Sequence, residues 1–270
     1  MIRENLHTHT LYCDGKNTAE EMILSAIEKS FTDIGFSGHS FTEFDTSYCM
    51  TETPEYRAEI LSLKEKYKGK INVWLGLEKD YFSNEDRGAY DYIIGSVHYV
   101  LKNGQYIPVD ESAETIKNAV ENEYGGDYSL FIKDYYEEVS LIVKKTDCDI
   151  IGHFDLISKY FDDLGIEETE SYLEIAFNAL EKLIPEGKPF EINTGAIARG
   201  TKKLPYPSFK ILKKINELEG KIIFSSDCHN KEYLDCYFEE SLEIAKKAGF
   251  AARSVITDKG FIEIGLEEEL

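Results

Sequence analysis

The sequence predicts an α/β barrel on a mainly parallel sheet, and three observations carry that prediction. Seven short runs rich in apolar, β-branched or aromatic residues have the length of buried strands, and most are separated by stretches with helical spacing. No Pro/Ser-rich linker, low-complexity tract or fixed-period repeat interrupts them. With 270 residues, 42% of them hydrophobic, the chain has material for one large core, so residues 1–270 are expected to form a single domain. Strands that alternate with helices pair in parallel, and seven such units in one domain point to a closed barrel.

Taken in order, the first strand is Ile2 to Leu6. Asn17 and Thr18 stand before Glu20 and Glu21, and Met22, Ile23, Ala26 and Ile27 share a face, which predicts a capped helix. Asp33 to Ser37, Ile71 to Leu75 and Tyr92 to Gly95 are the next three strands, with Gly69 a helix stop before the third. Residues 99–147 then separate the fourth strand from the fifth. They predict a helical insertion with one helix around Ala113 to Glu123 and another around Leu130 to Lys145, a candidate lid. In the second helix Ile132, Tyr135, Val139, Ile142 and Val143 form the apolar stripe.

The fifth strand is Asp149 to Ile151, followed by a helix over Tyr172, Ala176, Leu180 and Leu183. The sixth strand is Pro189 to Ile192 and the seventh Lys221 to Phe224. Between them a helix starts near Pro207 and Ser208 and ends at Gly220; Gly249 stops a later one. Arg253 to Thr257 and Phe261 to Ile264, joined by Asp258, Lys259 and Gly260, predict a closing hairpin.

Charge narrows the function. The chain holds 51 Asp and Glu against 30 Lys and Arg, a formal net charge of −21. Polyanion binders carry a basic stripe, so a nucleic-acid partner is not expected. There is no run of 18 apolar residues and no apolar N-terminal stretch, which predicts a cytoplasmic protein without a membrane partner. The five cysteines, with no CxxC spacing, fit reduced thiols. Oligomeric state is not encoded in any recognisable pattern.

The six histidines, His7, His9, His39, His98, His153 and His229, each fall within a few residues of the C-terminal end of a predicted strand. The third strand lacks a His but leads to Glu78, Asp14 follows the first His pair, and Asp227 stands two before His229. In an α/β barrel those strand ends open on one face, where active sites are built. A single His after a strand is usually an ordinary hydrogen-bonding residue; nine such side chains at one mouth are a ligand set. Extended chain brings residues two apart to one side, so His7 and His9 can reach one ion, while Cys228 points away from Asp227 and His229. Imidazole with carboxylate suits zinc, iron(II) or manganese, and nine ligands imply two to three divalent ions, a clamp for phosphoester hydrolysis.

Six motifs in order, L-H-T-H-T (Leu6 to Thr10) with Cys13, Asp14 and Gly15, G-F-S-G-H-S (Gly35 to Ser40), G-L-E (Gly76 to Glu78), S-V-H (Ser96 to His98), G-H-F-D (Gly152 to Asp155) and S-D-C-H (Ser226 to His229), resemble the PHP (polymerase and histidinol phosphatase) superfamily. Within it the chain is most similar to the monofunctional histidinol-phosphate phosphatases. The resemblance implies a distorted (β/α)7 barrel with a trinuclear centre at the C-terminal face of the strands. His7, His9, Glu78 and Asp227 would hold the first ion, Glu78 bridging to a second held by His98 and His153. Asp14, His39 and His229 would hold the third, an Asp at position 14 being usual in the histidinol-phosphate branch. Arg199 matches an arginine that contacts substrate phosphate, and Lys159 falls near the place of a second one. A carboxylate in the acidic, aromatic loop Phe41 to Asp45, such as Glu43, could recognise the cationic leaving alcohol. The implied reaction is hydrolysis of L-histidinol phosphate to L-histidinol and phosphate in histidine biosynthesis, with Arg199 balancing charge and Asp227 or His229 assisting the leaving group. Alternatives are another small ester such as a sugar or nucleotide phosphate, a DNA end, or a non-catalytic metal-binding module. A full ligand set weighs against the last.

Overall fold

The computed structural model describes residues 2–268. In chain order the strands are β1 (Glu4–Asn5), β2 (Asp33–Phe36), β3 (Asn72–Asp80), β4 (Tyr92–Ser96), β5 (Tyr99–Lys102), β6 (Gln105–Pro108), β7 (Ile150–Ile151), β8 (Phe190–Asn193), β9 (Ile222–Ser225), β10 (Ala252–Thr257) and β11 (Gly260–Gly265). The helices are α1 (Ala19–Glu28), α2 (Thr53–Lys66), α3 (Ala113–Glu123), α4 (Tyr128–Val139), α5 (Ile142–Thr146), α6 (Phe161–Leu164), α7 (Glu170–Leu183), α8 (Gly195–Ala198), α9 (Phe209–Glu217) and α10 (Phe238–Ala248).

Seven strands form one parallel sheet in the order β1-β2-β3-β4-β7-β8-β9. Just beyond the ends of β1 and β9 the sheet closes on itself: the His9 amide donates to the Cys228 carbonyl at 2.9 Å, and the Cys228 amide to the His7 carbonyl at 3.1 Å. This is the predicted seven-stranded barrel, and the motifs around His7 and His9 and around Cys228 are themselves its seam. One layer of core lies between barrel and helices. A smaller cluster of Leu6, Trp74, Tyr92, Ile94, Ile150 and Ile223 is plugged by Ile256 of the β10–β11 hairpin. The Tyr92 ring occupies space that glycine leaves open, since a Cβ at Gly35 or Gly76 would lie 2.2 Å from its atoms. Its hydroxyl donates to the Leu6 carbonyl.

The local signals explain the elements. Thr18 accepts from the Glu21 amide and Glu21 reaches back to the Thr18 amide, the reciprocal cap predicted for α1. Ser208 is the N-cap of α9, and Gly249 adopts φ 103° after α10. Two expectations change. The third strand does not stop at Leu75; β3 runs to Asp80 because its second half pairs with β4. Glu78 thus sits inside a strand. The insertion is not wholly helical either: residues 99–147 open with the antiparallel hairpin β5–β6, and the long predicted second helix breaks near Leu141 into α4 and α5. Tyr135 and Tyr136 of α4 are buried in the core, with the Tyr136 hydroxyl on Tyr172 of α7, so α4 is part of the barrel's outer layer rather than a lid. Among the described residues no helix is long and apolar enough to cross a membrane.

Candidate metal centre

All nine predicted ligands meet at the C-terminal end of the barrel. Glu78, 1% exposed, is the centre. Its Oε2 lies 3.1 Å from His7 Nε2, 3.5 Å from His9 Nε2 and 2.9 Å from His39 Nδ1. Its Oε1 lies 3.0 Å from His153 Nε2 and 3.4 Å from His98 Nε2. Asp227 Oδ1 approaches His9 Nε2 at 3.2 Å and His7 Nε2 at 3.6 Å. Asp14 faces His229 Nε2 at 3.1 Å and His39 Nε2 at 3.6 Å.

Backbone geometry sets these positions. His39 lies just past β2, paired across to Glu78 by the Ser40 and Glu78 amides. The loop carrying Asp14 folds back tightly at Gly15, where a Cβ would stand 2.5 Å from the main chain of His9 and Thr10. Asp227 adopts φ 47°, a left-handed conformation that Asp tolerates better than most residues. That turn sends the Asp227 and His229 side chains to one side, while the buried Cys228 thiol donates to the Asn230 carbonyl instead.

The electrostatics fit cation binding. Burial alone would raise the Glu78 and Asp227 carboxyls, but the imidazoles around Glu78, and Arg199 with His7 beside Asp227, hold both well below the usual range. Burial, with His229 and His39 nearby, lowers His9 to about 3, leaving a neutral ring. His7 Nε2, His9 Nε2 and Glu78 Oε2 are buried and have no hydrogen-bond partner among the described residues. Buried polar atoms are normally paired, so convergent unpaired ones fit a divalent ion that takes their lone pairs. Among the described residues three groupings lie close enough to hold ions: His7, His9, Glu78; His39, Glu78, His98; and His9, Asp14, His39, His229.

The remaining predicted residues separate. Arg199, just after α8, donates Nη2 to Asp227 Oδ2 at 3.0 Å and lies 3.2 Å from His229 Nδ1, at the wall of a cavity of about 510 Å³ over the cluster. Lys159 also lines that cavity, but its ammonium is held by the Asp110 carbonyl at 2.7 Å and carboxylate at 3.2 Å. It thus reaches the cavity as the partner of an acid. Glu43 is exposed and is not among the residues lining the cavity. From the same loop Asp45 lines it instead, accepting from the Tyr99 hydroxyl at 2.7 Å, together with Tyr48.

Two acids behind the ligands escaped the sequence reading. Glu191 accepts from His7 Nδ1 at 2.6 Å, and Asp80 from His98 Nδ1 at 3.1 Å. A carboxylate within the apolar run F-E-I-N, and E-x-D on one strand face, were the available signals.

A seven-stranded parallel barrel with imidazoles and carboxylates gathered at its C-terminal mouth defines a metal-binding barrel protein. The PHP domain model matches residues 5–195, and the chain belongs to that family. It is 27% identical to a protein of Schizosaccharomyces pombe named probable histidinol-phosphatase, over 94% of this chain and 89% of that one. It is 24% identical to the histidinol-phosphatase of Bacillus subtilis, over 90% and 99%. The structure of histidinol phosphate phosphatase from Lactococcus lactis, solved with zinc, L-histidinol and phosphate, shares the fold with TM-score 0.69 at 20% identity, over 96% of this chain and 98% of that one.

Proposed function

We propose that the chain is a metal-dependent phosphomonoesterase that hydrolyses L-histidinol phosphate to L-histidinol and phosphate. The observation that carries this reading is one cavity with two kinds of lining. It is lined by the ligand cluster and Arg199 and also by the acids Asp45 and Glu111 and the rings of Tyr48 and Tyr99. A phosphate joined to a cationic, ring-bearing alcohol matches both. The names of the relatives agree with it.

His7, His9, Glu78 and Asp227 would hold a first ion, Glu78, His98 and His153 a second, and Asp14, His39 and His229 a third; zinc, iron(II) and manganese all suit these donors. Ions held there would supply Lewis acidity toward the phosphoryl oxygens and toward water. Arg199 grips a phosphate oxygen while its other nitrogen stays on Asp227, so the cation is oriented before substrate arrives. Assistance to the leaving alkoxide would fall to His229 rather than to Asp227, whose carboxyl Arg199 and His7 hold ionised. Asp45, held by the Tyr99 hydroxyl and by the Ser47 amide and hydroxyl, meets the ammonium or imidazole of the alcohol. Tyr48, whose ring stands 4.9 Å edge-on to His39, lines the cavity beside the cluster.

Steady-state kinetics on histidinol phosphate, phenyl phosphate, glycerol phosphate and a nucleotide monophosphate test the assignment. Histidinol phosphate should lead in kcat/KM by about 100-fold, the worth of a paired charge in a partly buried site. Similar values across the panel would sink it. Asp45→Asn should raise KM for histidinol phosphate about 10-fold and leave phenyl phosphate unaffected.

A further inference from the structure

Glu191 is fully buried in β8 and belongs to none of the three ligand groupings, yet its carboxylate is saturated with donors. Oε1 accepts from His7 Nδ1 at 2.6 Å and from the Ser225 hydroxyl. Oε2 accepts from the His153 amide at 2.9 Å and from Asn193 Nδ2 at 2.9 Å. These donors come from different parts of the barrel: beyond β1, beyond β7, from β9 two residues before Asp227, and from β8 itself. Accepting the metal assignments above, on which this inference rests, they serve more than one ion.

We propose that Glu191 is a positioning residue that couples the first and second ion subsites, so that the two ions bind as a linked pair. A carboxylate only accepts, so the hydrogen on His7 must sit on Nδ1. The Nε2 lone pair is then free and aimed at the space between Glu78, 3.1 Å away, and Asp227, 3.6 Å away. Through its other oxygen Glu191 pins the His153 main chain, whose ring meets Glu78 Oε1 at 3.0 Å. One side chain thus sets a ligand of the first subsite by its tautomer and a ligand of the second by its backbone. Asp80 is the internal contrast. Its Oδ2 meets both the His98 ring, at 3.1 Å, and the His98 amide, at 3.3 Å, so it supports one ligand of one subsite. Carboxylates behind metal-bound histidines typically carry 10- to 100-fold in metal affinity.

Glutamine at 191 cannot replace the carboxylate. Each oxygen faces two donors, so the amide fits in neither orientation; displaced from its place between them, the side chain gives up His7 and His153 together. The test is zinc titration of the metal-free protein against a competing chelator, with bound metal counted by elemental analysis. In E191Q two ions should weaken together, by roughly 10- to 100-fold. In D80N only one should. Loss of one ion alone in E191Q, or none, overturns the coupling. A wild-type protein that takes up no zinc sinks the metal reading itself, a separate outcome. A second measurement needs no variant: in the zinc-loaded wild type, imidazole 15N NMR should show the assigned His7 protonated at Nδ1 and metal-bound at Nε2. The opposite tautomer overturns the proposal even if E191Q fails to fold.

Discussion

Arg199 shows what a single residue decides at this site. Its guanidinium spans the Asp227 carboxylate and carbonyl and lies beside His229, so it holds the ligand loop and faces the cavity at once. Lysine keeps the charge but offers a point donor in place of a planar fork. Arg199→Lys should therefore lower kcat/KM by on the order of 100-fold, seen both in a raised KM and a reduced kcat. Steady-state kinetics on the metal-loaded variant checks this, and an unchanged kcat would remove Arg199 from the reacting phosphate. At this scale the ligands were legible because His, Asp and Glu at strand ends have few other uses in such number. The acids behind them were not: a buried acid such as Glu191 reads in sequence like any polar interruption of a strand. Glu43 and Asp45 are two residues apart in one loop, and only the loop's path sends Asp45 inward under Tyr99.

Among the elements, the hairpin β5–β6 is tied at two ends. Phe44 stacks on Tyr106 of β6 at 3.7 Å and meets Tyr99 of β5 edge-on at 4.8 Å, joining the Asp45 loop to the hairpin. On the other side Glu138 of α4 accepts from the Leu101 amide at 3.1 Å. Burial, with Asp80 and Asp134 adding like charge, pushes the Glu138 carboxyl from 4.5 up to about 8. The raised value means that its contribution to stability is fully present below about pH 4.5. As pH rises the unfolded chain gives up the proton first, so stability falls through the window up to about pH 8. Glu138→Gln keeps the acceptor and removes the titration. It should be more stable than wild type at pH 8.5, by on the order of 2 kcal/mol, with the difference gone near pH 4. Urea midpoints across that range measure it; a constant offset would exclude Glu138 as the cause. The hairpin itself escaped the sequence reading because Tyr99 to Pro108 is short and half exposed, with weak alternation, while the cap of α1 is a purely local signal and was readable.

For the molecule as a whole, the −21 charge and the cluster's demand for cations belong together. Glu78, Asp227 and Asp14 are drawn into one mouth, and ions that bind only the folded chain stabilise it by mass action. Exhaustive chelation should abolish phosphate release and lower Tm by roughly 5–10 °C, since 100-fold saturation is worth about 2.7 kcal/mol. Thermal scans with and without added zinc or manganese check this, and a chelated protein with unaltered Tm and turnover would contradict the metal centre.

Residue order alone was enough to read the strand–helix alternation, the nine side chains that converge at the barrel mouth and the class of chemistry, because each depends on local patterning or on residue type. It could not tell which acids support those ligands or line the cavity. Glu191 reaches His7 across 184 residues, and Lys159 reaches Asp110 across 49. Those partnerships arise only when the sheet closes through Thr8 and Cys228 and brings distant strand ends to one rim. Closure is a property of the assembled barrel and is carried by no segment of the chain.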